Sequence, residues 1–293
     1  MAVVSADFLE GVLTTFRALF AREFSAAVGL QGWTDLAMQI PSEGELNTYE
    51  WFGSVPTMKD VTHSVADLQG LDEYNFSIRN SEYQAVIEVS RMALERDRLN
   101  LVTPRIQQLA GEAARHPGQL IFDLFATPGN AFDGAAFFAD TRVIGESANI
   151  DNSRAGAGIT VANIQTDLNS SRAAMRLYQD DRGRPMNLLG NVIVVPPDLE
   201  QVMWQALNAD QAGNQDRNVP PATLTGVWSA RGYRVVTNPY LTDTTDWYLM
   251  HDGGPNMRPF VFQQEKAPVL ESDTDPNNRE NILKRKFLYS VYG

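Results

Sequence analysis

Three histidines, His63, His116 and His251, are the only imidazoles in the 293-residue sequence, and there is no cysteine. Thiolate metal sites, disulfides and cysteine nucleophiles are therefore excluded, and no histidine pair stands at metal-ligand spacing. "AGAGIT" (Ala155 to Thr160) is glycine-rich and precedes a helical pattern, as a phosphate loop would,. It follows no strong strand and carries no basic partner, so it reads as a flexible loop. "SDTDPNNRE" sets Asp273, Asp275 and Asn277 at alternate positions, like the start of a calcium loop. The closing carboxylate of such a loop would fall on Lys284 and its glycine on Asn278, so an acidic surface turn is expected instead,. Asp180 and Asp181 are adjacent and so do not face each other across a substrate. No GxSxG elbow, Walker lysine motif or GxGxxG after a strand occurs,. The expectation is no catalytic residue, no cofactor and no metal: not an enzyme.

The charge alone does not decide between an enzyme and a protein that lies near nucleic acid without gripping it. Lys59, Lys266, Lys284 and Lys286 are the only lysines among 24 basic residues, against 36 acidic ones, giving a net charge of −12. A surface that grips nucleic acid needs a basic face, so sequence-specific binding is not expected. No apolar run reaches membrane-spanning length, and the acidic start "MAVVSADFLEG" lacks the basic region of a signal peptide,. Synthesis in the cytosol is expected.

The elements follow from hydrophobic period. Ser5 can cap a helix in which Phe8, Leu9, Val12, Leu13, Phe16, Leu19, Phe20 and Phe24 form one stripe, packing on the chain's own core or on a neighbouring subunit,. Residues 46 to 90 are extended: "YEWFGSVPTMKD" comes first, and in "YNFSIRNSEYQAVIEV" two alternating runs resemble a strand pair joined at "RNSE". Pairing within this region would require a long loop, which is unusual in a compact domain. Thr103 as cap and Pro104 at the first position predict a helix to Phe125, kinked or restarted at Pro117,. Thr160 caps another helix. "NVIVVPPDLEQVMWQAL" predicts a buried strand from Val192 to Val195, a Pro-Pro stop and a helix turning Leu199, Val202, Met203, Ala206 and Leu207 inward. Strands "YRVVT", "WYLM", "RPFVFQ" and "ILKRKFLYSVYG" follow, with "HDGGP" as a turn,.

"YEWFGSVPTMKD", "YNFSIRNSEYQAVIEVSRMALERDRL", "AARHPGQLIFDLF", "FDGAAFF" and the closing "KFLYSVYG" occur in an order that resembles the Mu-like phage major head subunit family, from about Phe8 to Gly293. The resemblance implies an α+β protein with the tailed-phage capsid fold named after phage Hong Kong 97. It implies an N-terminal arm (1–45), a projecting E-loop with flanking strands (46–90) and a peripheral domain with a spine helix (91–132). An axial domain (133–238) and return strands of the peripheral domain (239–293) complete it. The E-loop lies over a neighbouring subunit in that fold, which accounts for the long two-faced segment. Two departures stand out: Thr141-Arg142 replaces a histidine-containing turn, and the family usually continues beyond the final "YG".

By the same resemblance the protein is a major capsid protein that assembles as pentamers and hexamers into the icosahedral head shell of a tailed phage or Mu-like prophage. Its partners would be itself, portal, scaffold and decoration proteins, and enclosed double-stranded DNA. Its location would be the virion, after assembly in the bacterial host's cytoplasm. Inter-subunit contact is expected of Trp51, Phe52, Met58, Lys59, Tyr74 and Phe76 in the extended region and of Phe8 and Phe16 in the arm. Some proteins of this fold crosslink an E-loop lysine to a neighbour's asparagine, a role open only to Lys59 here. An encapsulin-like cargo shell and an α/β enzyme centred on residues 130 to 250 are the alternatives.

Overall fold

The computed structural model describes residues 6–28, 32–52, 73–90, 99–131, 133–208, 232–254, 258–273 and 280–292. The chain divides into two units. One comprises Met1–Asn47, Ile78–Ile121 and Val261–Tyr292; the other comprises Thr48–Ser77, Phe122–Phe260 and Gly293.

In the first unit, the phenylalanine stripe forms helix α1 (Ala6–Val28). Phe16 and Phe20 are buried, and Arg17 Nε donates to the Leu270 carbonyl at 3.2 Å, so the middle of the stripe packs on its own unit. A 3-10 turn (Gly32–Asp35) then places Trp33 edge-on to Phe262, 5.0 Å between ring centroids. Strands β1 (Ala37–Pro41), β2 (Leu46–Phe52), β3 (Glu73–Arg79) and β4 (Ser81–Ser90) follow in the chain. Late in the sequence come β8 (Phe260–Asp273) and β9 (Glu280–Tyr292), which complete a sheet in the order β1-β8-β9-β4.

The two alternating runs around "RNSE" do not face each other. Only Asn80 separates β3 from β4; β3 pairs with β2, and β4 pairs antiparallel with β9 from Ser81↔Tyr289 to Ser90↔Glu280. A reversal needs residues that accept turn geometry, and a stretch without glycine or proline lets the chain keep its direction. The next helix, α2 (Leu99–Ala126), also departs from expectation. It starts before Thr103, holds both Pro104 and Pro117 inside, and at 28 residues is about 42 Å long,. Pro117 leaves the Ala113 carbonyl without its helical donor. The helix nonetheless continues because Ile106, Ala110, Ala113, Ala114 and Ile121 are all buried, and that packing outweighs one lost hydrogen bond,.

The second unit is built on β5 (Val192–Val195), whose four residues are all buried. A run of β-branched side chains suits a strand covered on both faces. It is the centre of a three-stranded sheet, with β6 (Arg234–Thr237) parallel on one side and β7 (Tyr248–Met250) antiparallel on the other. Helix α3 (Val161–Leu177) begins as expected: Thr160 is extended, and its hydroxyl accepts from the Asn163 N–H. Helix α4 (Pro197–Asn208) lies in the crossover that parallel pairing of β5 and β6 requires,. Ile164, Leu168, Ile193, Val195, Leu199, Met203, Ala206 and Leu207 form one buried cluster. A second, aromatic cluster joins Phe125, Phe137, Phe138, Tyr248 and Phe260, with neighbouring rings 4.9 to 5.3 Å apart. The β5 sheet includes Met250, and the unit runs to Phe260.

Ile193, fully buried in the central strand, sets a test of this core. Ile193→Ala is expected to cost about 3 kcal/mol in urea unfolding. Val143→Ala, at a side chain that is 64% exposed, is expected to stay within about 0.5 kcal/mol of wild type,. Equal effects would place the core elsewhere.

Candidate assembly interface

The side chains with chemical potential are tied into the fold. The His116 ring lies 4.5 Å from the Tyr83 ring, and His251 Nδ1 is 2.7 Å from the Leu189 carbonyl. "AGAGIT" is pinned rather than free: Asp167 accepts from the Ala157 N–H at 2.8 Å, and Asn163 Nδ2 donates to the Ala157 carbonyl at 3.0 Å. Among the described residues, no three His, Asp or Glu side chains converge as a metal site would require, and no helix is long and apolar enough to cross a membrane. His63, Asp275, Asn277 and Asn278 lie outside the described residues.

The Thr141-Arg142 departure proves structural. Arg142 Nε lies 3.1 Å from Asp133 Oδ2 with both side chains mostly buried, and its guanidinium also donates to the Ala136 carbonyl. The Arg142 main chain is fixed by Asn149 Oδ1 and by the Ile150 N–H, at 2.9 and 2.8 Å. The following loop packs on the turn at Asp180. Glu146 N–H donates to the Asp181 carbonyl, and Gly145, at φ +56°, approaches so closely that a Cβ would stand 2.5 Å from that oxygen. Only glycine fits there.

A cleft of about 500 Å³ lies between α3 and β7 in the second unit. Phe137, Tyr178, Trp247 and Tyr248 form its aromatic walls, and Arg154, Asp167, Asp246 and Arg258 line it too. Burial, then the charge of Asp243, raises the Asp246 carboxyl above the ordinary range. Ser170 Oγ donates to the Asp167 carbonyl. Among the described residues, the cleft shows no nucleophile and base hydrogen-bonded in working geometry.

The extended region is a better candidate. Strands β2 and β3 form a two-stranded ribbon, with Thr48 Oγ1 and Ser77 Oγ 2.9 Å apart across it. Trp51 and Phe52 end β2, and Tyr74 and Phe76 lie in β3, so four of the expected contact residues share this ribbon; Phe76 is half-buried. Met58 and Lys59 lie outside the described residues. Phe8 lies in α1, whereas Phe16, 5% exposed, has little surface left for a neighbour. A two-stranded ribbon is marginal in water, so a surface supplied from elsewhere would stabilise it.

Where β1 and β4 give way to the ribbon, sequence reading missed three buried polar residues: Ser42, Asn80 and Gln263. Asn80 Nδ2 donates to Ser42 Oγ and the Gly44 carbonyl, both at 2.7 Å, and Gln263 Nε2 donates to Asn80 Oδ1 at 2.8 Å. The only hint in the sequence was an asparagine between two alternating runs.

The model of a family described as phage capsid protein matches residues 76–293. The major capsid protein of Escherichia phage Mu is 26% identical over 197 residues, 62% of each chain. The chain thus spans under two thirds of the Mu protein's length. The Mu-like prophage FluMu major head subunit of Haemophilus influenzae is 24% identical over 295 residues, covering 99% of this chain and 70% of that one. Among solved structures, the capsid of Ralstonia phage GP4 shares the fold at 12% identity, with a TM-score of 0.57 over 87% of this chain and 82% of that chain. The α+β fold is therefore that of a tailed-phage capsid protein.

The turn at Asp180 gives a pH test. Burial alone would raise this carboxyl, but hydrogen bonds from the Arg184 side chain and from the Arg184 and Arg182 N–H groups, with the Arg184 charge, hold it at about 2. A carboxylate whose folded value lies below its unfolded one contributes stability above pH ~4 and loses it as pH falls toward 2. Asp180→Asn is expected to lower stability by about 1 kcal/mol at pH 7, allowing for solvent screening. Melting curves of variant and wild type should converge near pH 2. A gap that persists unchanged at pH 2 would remove the ion pair as its cause.

Proposed function

Because its residues 76–293 match the phage capsid protein family, the chain belongs to that family, and on this premise we propose that it is the major capsid protein of a tailed phage or Mu-like prophage. The observation carrying the proposal is that one capsid family model spans both structural units, including the late strands that close the first sheet.

The activity on this reading is assembly. Copies join in five- and six-membered rings through heterologous contacts, and rings join into an icosahedral shell that encloses double-stranded DNA. The many modest contacts each subunit makes at once give a shell far more stable than any single interface. The N-terminal arm (1–45) and the E-loop with its flanking strands (46–90), with Trp51, Phe52, Met58, Lys59, Tyr74 and Phe76, face neighbours. Residues 91–132 and 239–293 form the peripheral domain and residues 133–238 the axial domain around the ring axes. Portal, scaffold and decoration proteins complete the particle, which is built in the bacterial cytoplasm. The net charge of −12 supports a wall that encloses DNA without gripping it,. No catalytic step is involved.

Expression of the chain alone, followed by size-exclusion chromatography and negative-stain electron microscopy of the excluded fraction, tests this. Hollow shells of uniform diameter, or rings of five or six subunits, are expected. A monomer or dimer that persists at high concentration, with or without added capsid scaffold, would overturn it.

A further inference from the structure

Two strands change sheets at the same corner of the first unit. β1 leads through Ser42–Glu45 into β2, and β3 leads through Asn80 into β4, so the outer strands of the sheet β1-β8-β9-β4 both continue into the ribbon. At such corners the regular ladder breaks, and its polar groups need other partners. Here side chains supply them. The Asn80 N–H donates to the Glu45 carbonyl at 2.8 Å, and the Ser42 N–H donates to the Gln264 carbonyl at 2.9 Å. Ser42 Oγ donates to the Gly44 carbonyl at 2.9 Å while accepting from Asn80 Nδ2 at 2.7 Å and Gln263 Nε2 at 3.1 Å. The hydroxyl thus uses its one donor and both lone pairs. Glu265 Oε2, 3.4 Å from Asn80 Nδ2, borders the group.

Three features make this more than ordinary core polarity. Gln263 is fully buried, and Ser42 and Asn80 are 7% and 8% exposed, so water does not substitute for a lost partner,. β4 and β8 are not neighbours in the sheet, so the bond from Gln263 to Asn80 joins segments that the ladder does not pair. The β8–β9 register also shifts between Gln264 and Lys266 and again between Lys266 and Val269, immediately beyond the clamp. Irregularities of this kind bend a strand locally, so the side chains fix a path that the ladder there does not.

We propose that Ser42, Asn80 and Gln263 form a corner clamp that fixes the roots of the β2–β3 ribbon, with Asn80 as its positioning residue. The role of the ribbon in contacting a neighbouring copy rests on the capsid reading; the clamp itself does not. Asparagine suits the position chemically because a short side chain there must donate two hydrogens and accept one. Aspartate has the same shape but no donors, and it would set a carboxylate against the Gly44 carbonyl. Alanine would take one of two donors from that carbonyl and remove the closer acceptor of the Gln263 amide.

The test uses the full chain with Asn80→Asp, Asn80→Ala and Gln263→Leu, read by amide hydrogen exchange at pH 7 and by electron microscopy. In all three variants the Ser42 and Asn80 amides are expected to exchange at least tenfold faster, with the β5 amides within twofold of wild type. The yield of regular particles should fall at least tenfold. Unchanged exchange at both root amides would overturn the clamp. So would an equal rise in the β5 amides, which marks general loss of stability. Regular particles at wild-type yield from a variant with loosened roots would overturn the positioning role. A wild-type chain that forms no particles, with variants that still loosen only the roots, would uphold the clamp and overturn the capsid reading instead.

Discussion

Strand β9 must travel back along most of the sequence to pair with β4, setting Ser81 opposite Tyr289 and Ser90 opposite Glu280. The first unit depends on that pairing: without β9, β8 keeps only β1 beside it and β4 has no partner in the sheet. Closing so large a loop carries an entropic cost that grows with the logarithm of its length. The second unit reduces it from within. Phe125 and Phe260, which bracket most of that unit, meet at 5.1 Å, and Phe137 and Tyr248 pack on them. A contact that shortens the effective loop a few-fold lowers the closure cost by about 1 kcal/mol. This gives a physical reason to expect the β5 core and its aromatic cluster to form before the long sheet does.

The same distinction decides what was legible in the sequence. "VIVVPP" and the helix after it could be read directly, because a fully apolar run, a proline stop and a period near 3.6 are local signals; so was the Thr160 cap. Strands β3 and β4 were legible as strands but not as members of different sheets. Alternation reports that one face is buried; it carries no information about the partner. The start of α2 failed for a related reason. Thr103 and Pro104 have the chemistry of a helix start, yet the buried face of α2 holds the helix together through both prolines.

The site was legible in a different sense. Assembly, as proposed, needs no reacting group, and the inventory of catalytic motifs in the sequence was nearly empty. What could be read was the order of short structural motifs along the chain. Asn80 and Gln263 could not be found that way. They are far apart in sequence and each is unremarkable alone, and only folding shows that the Asn80 amide meets Gln263, Ser42 and Gly44 at once. Arg142 was noticed as a departure, but the reason it is there, the Asp133 carboxylate, lies in a different turn.

The arginines connect fold to function. Lysines are scarce, and the arginines of the second unit largely serve its own loops: Arg142 meets Asp133, Arg184 meets Asp180 at 2.7 Å, and Arg234 and Arg258 share Asp252. A planar guanidinium can hold a carboxylate and a carbonyl together, as Arg142 does with Asp133 and Ala136, where an ammonium acts as a point charge,. Cations committed to internal carboxylates are not available for phosphates. DNA binding without sequence preference scales with the number of phosphates a protein neutralises, so on the capsid reading proposed above each such pair is one cation fewer for the duplex. Internal arginine pairing thus holds the second unit's loops. On the capsid reading proposed above, that rigidity is what lets a loop meet a neighbouring copy in one geometry.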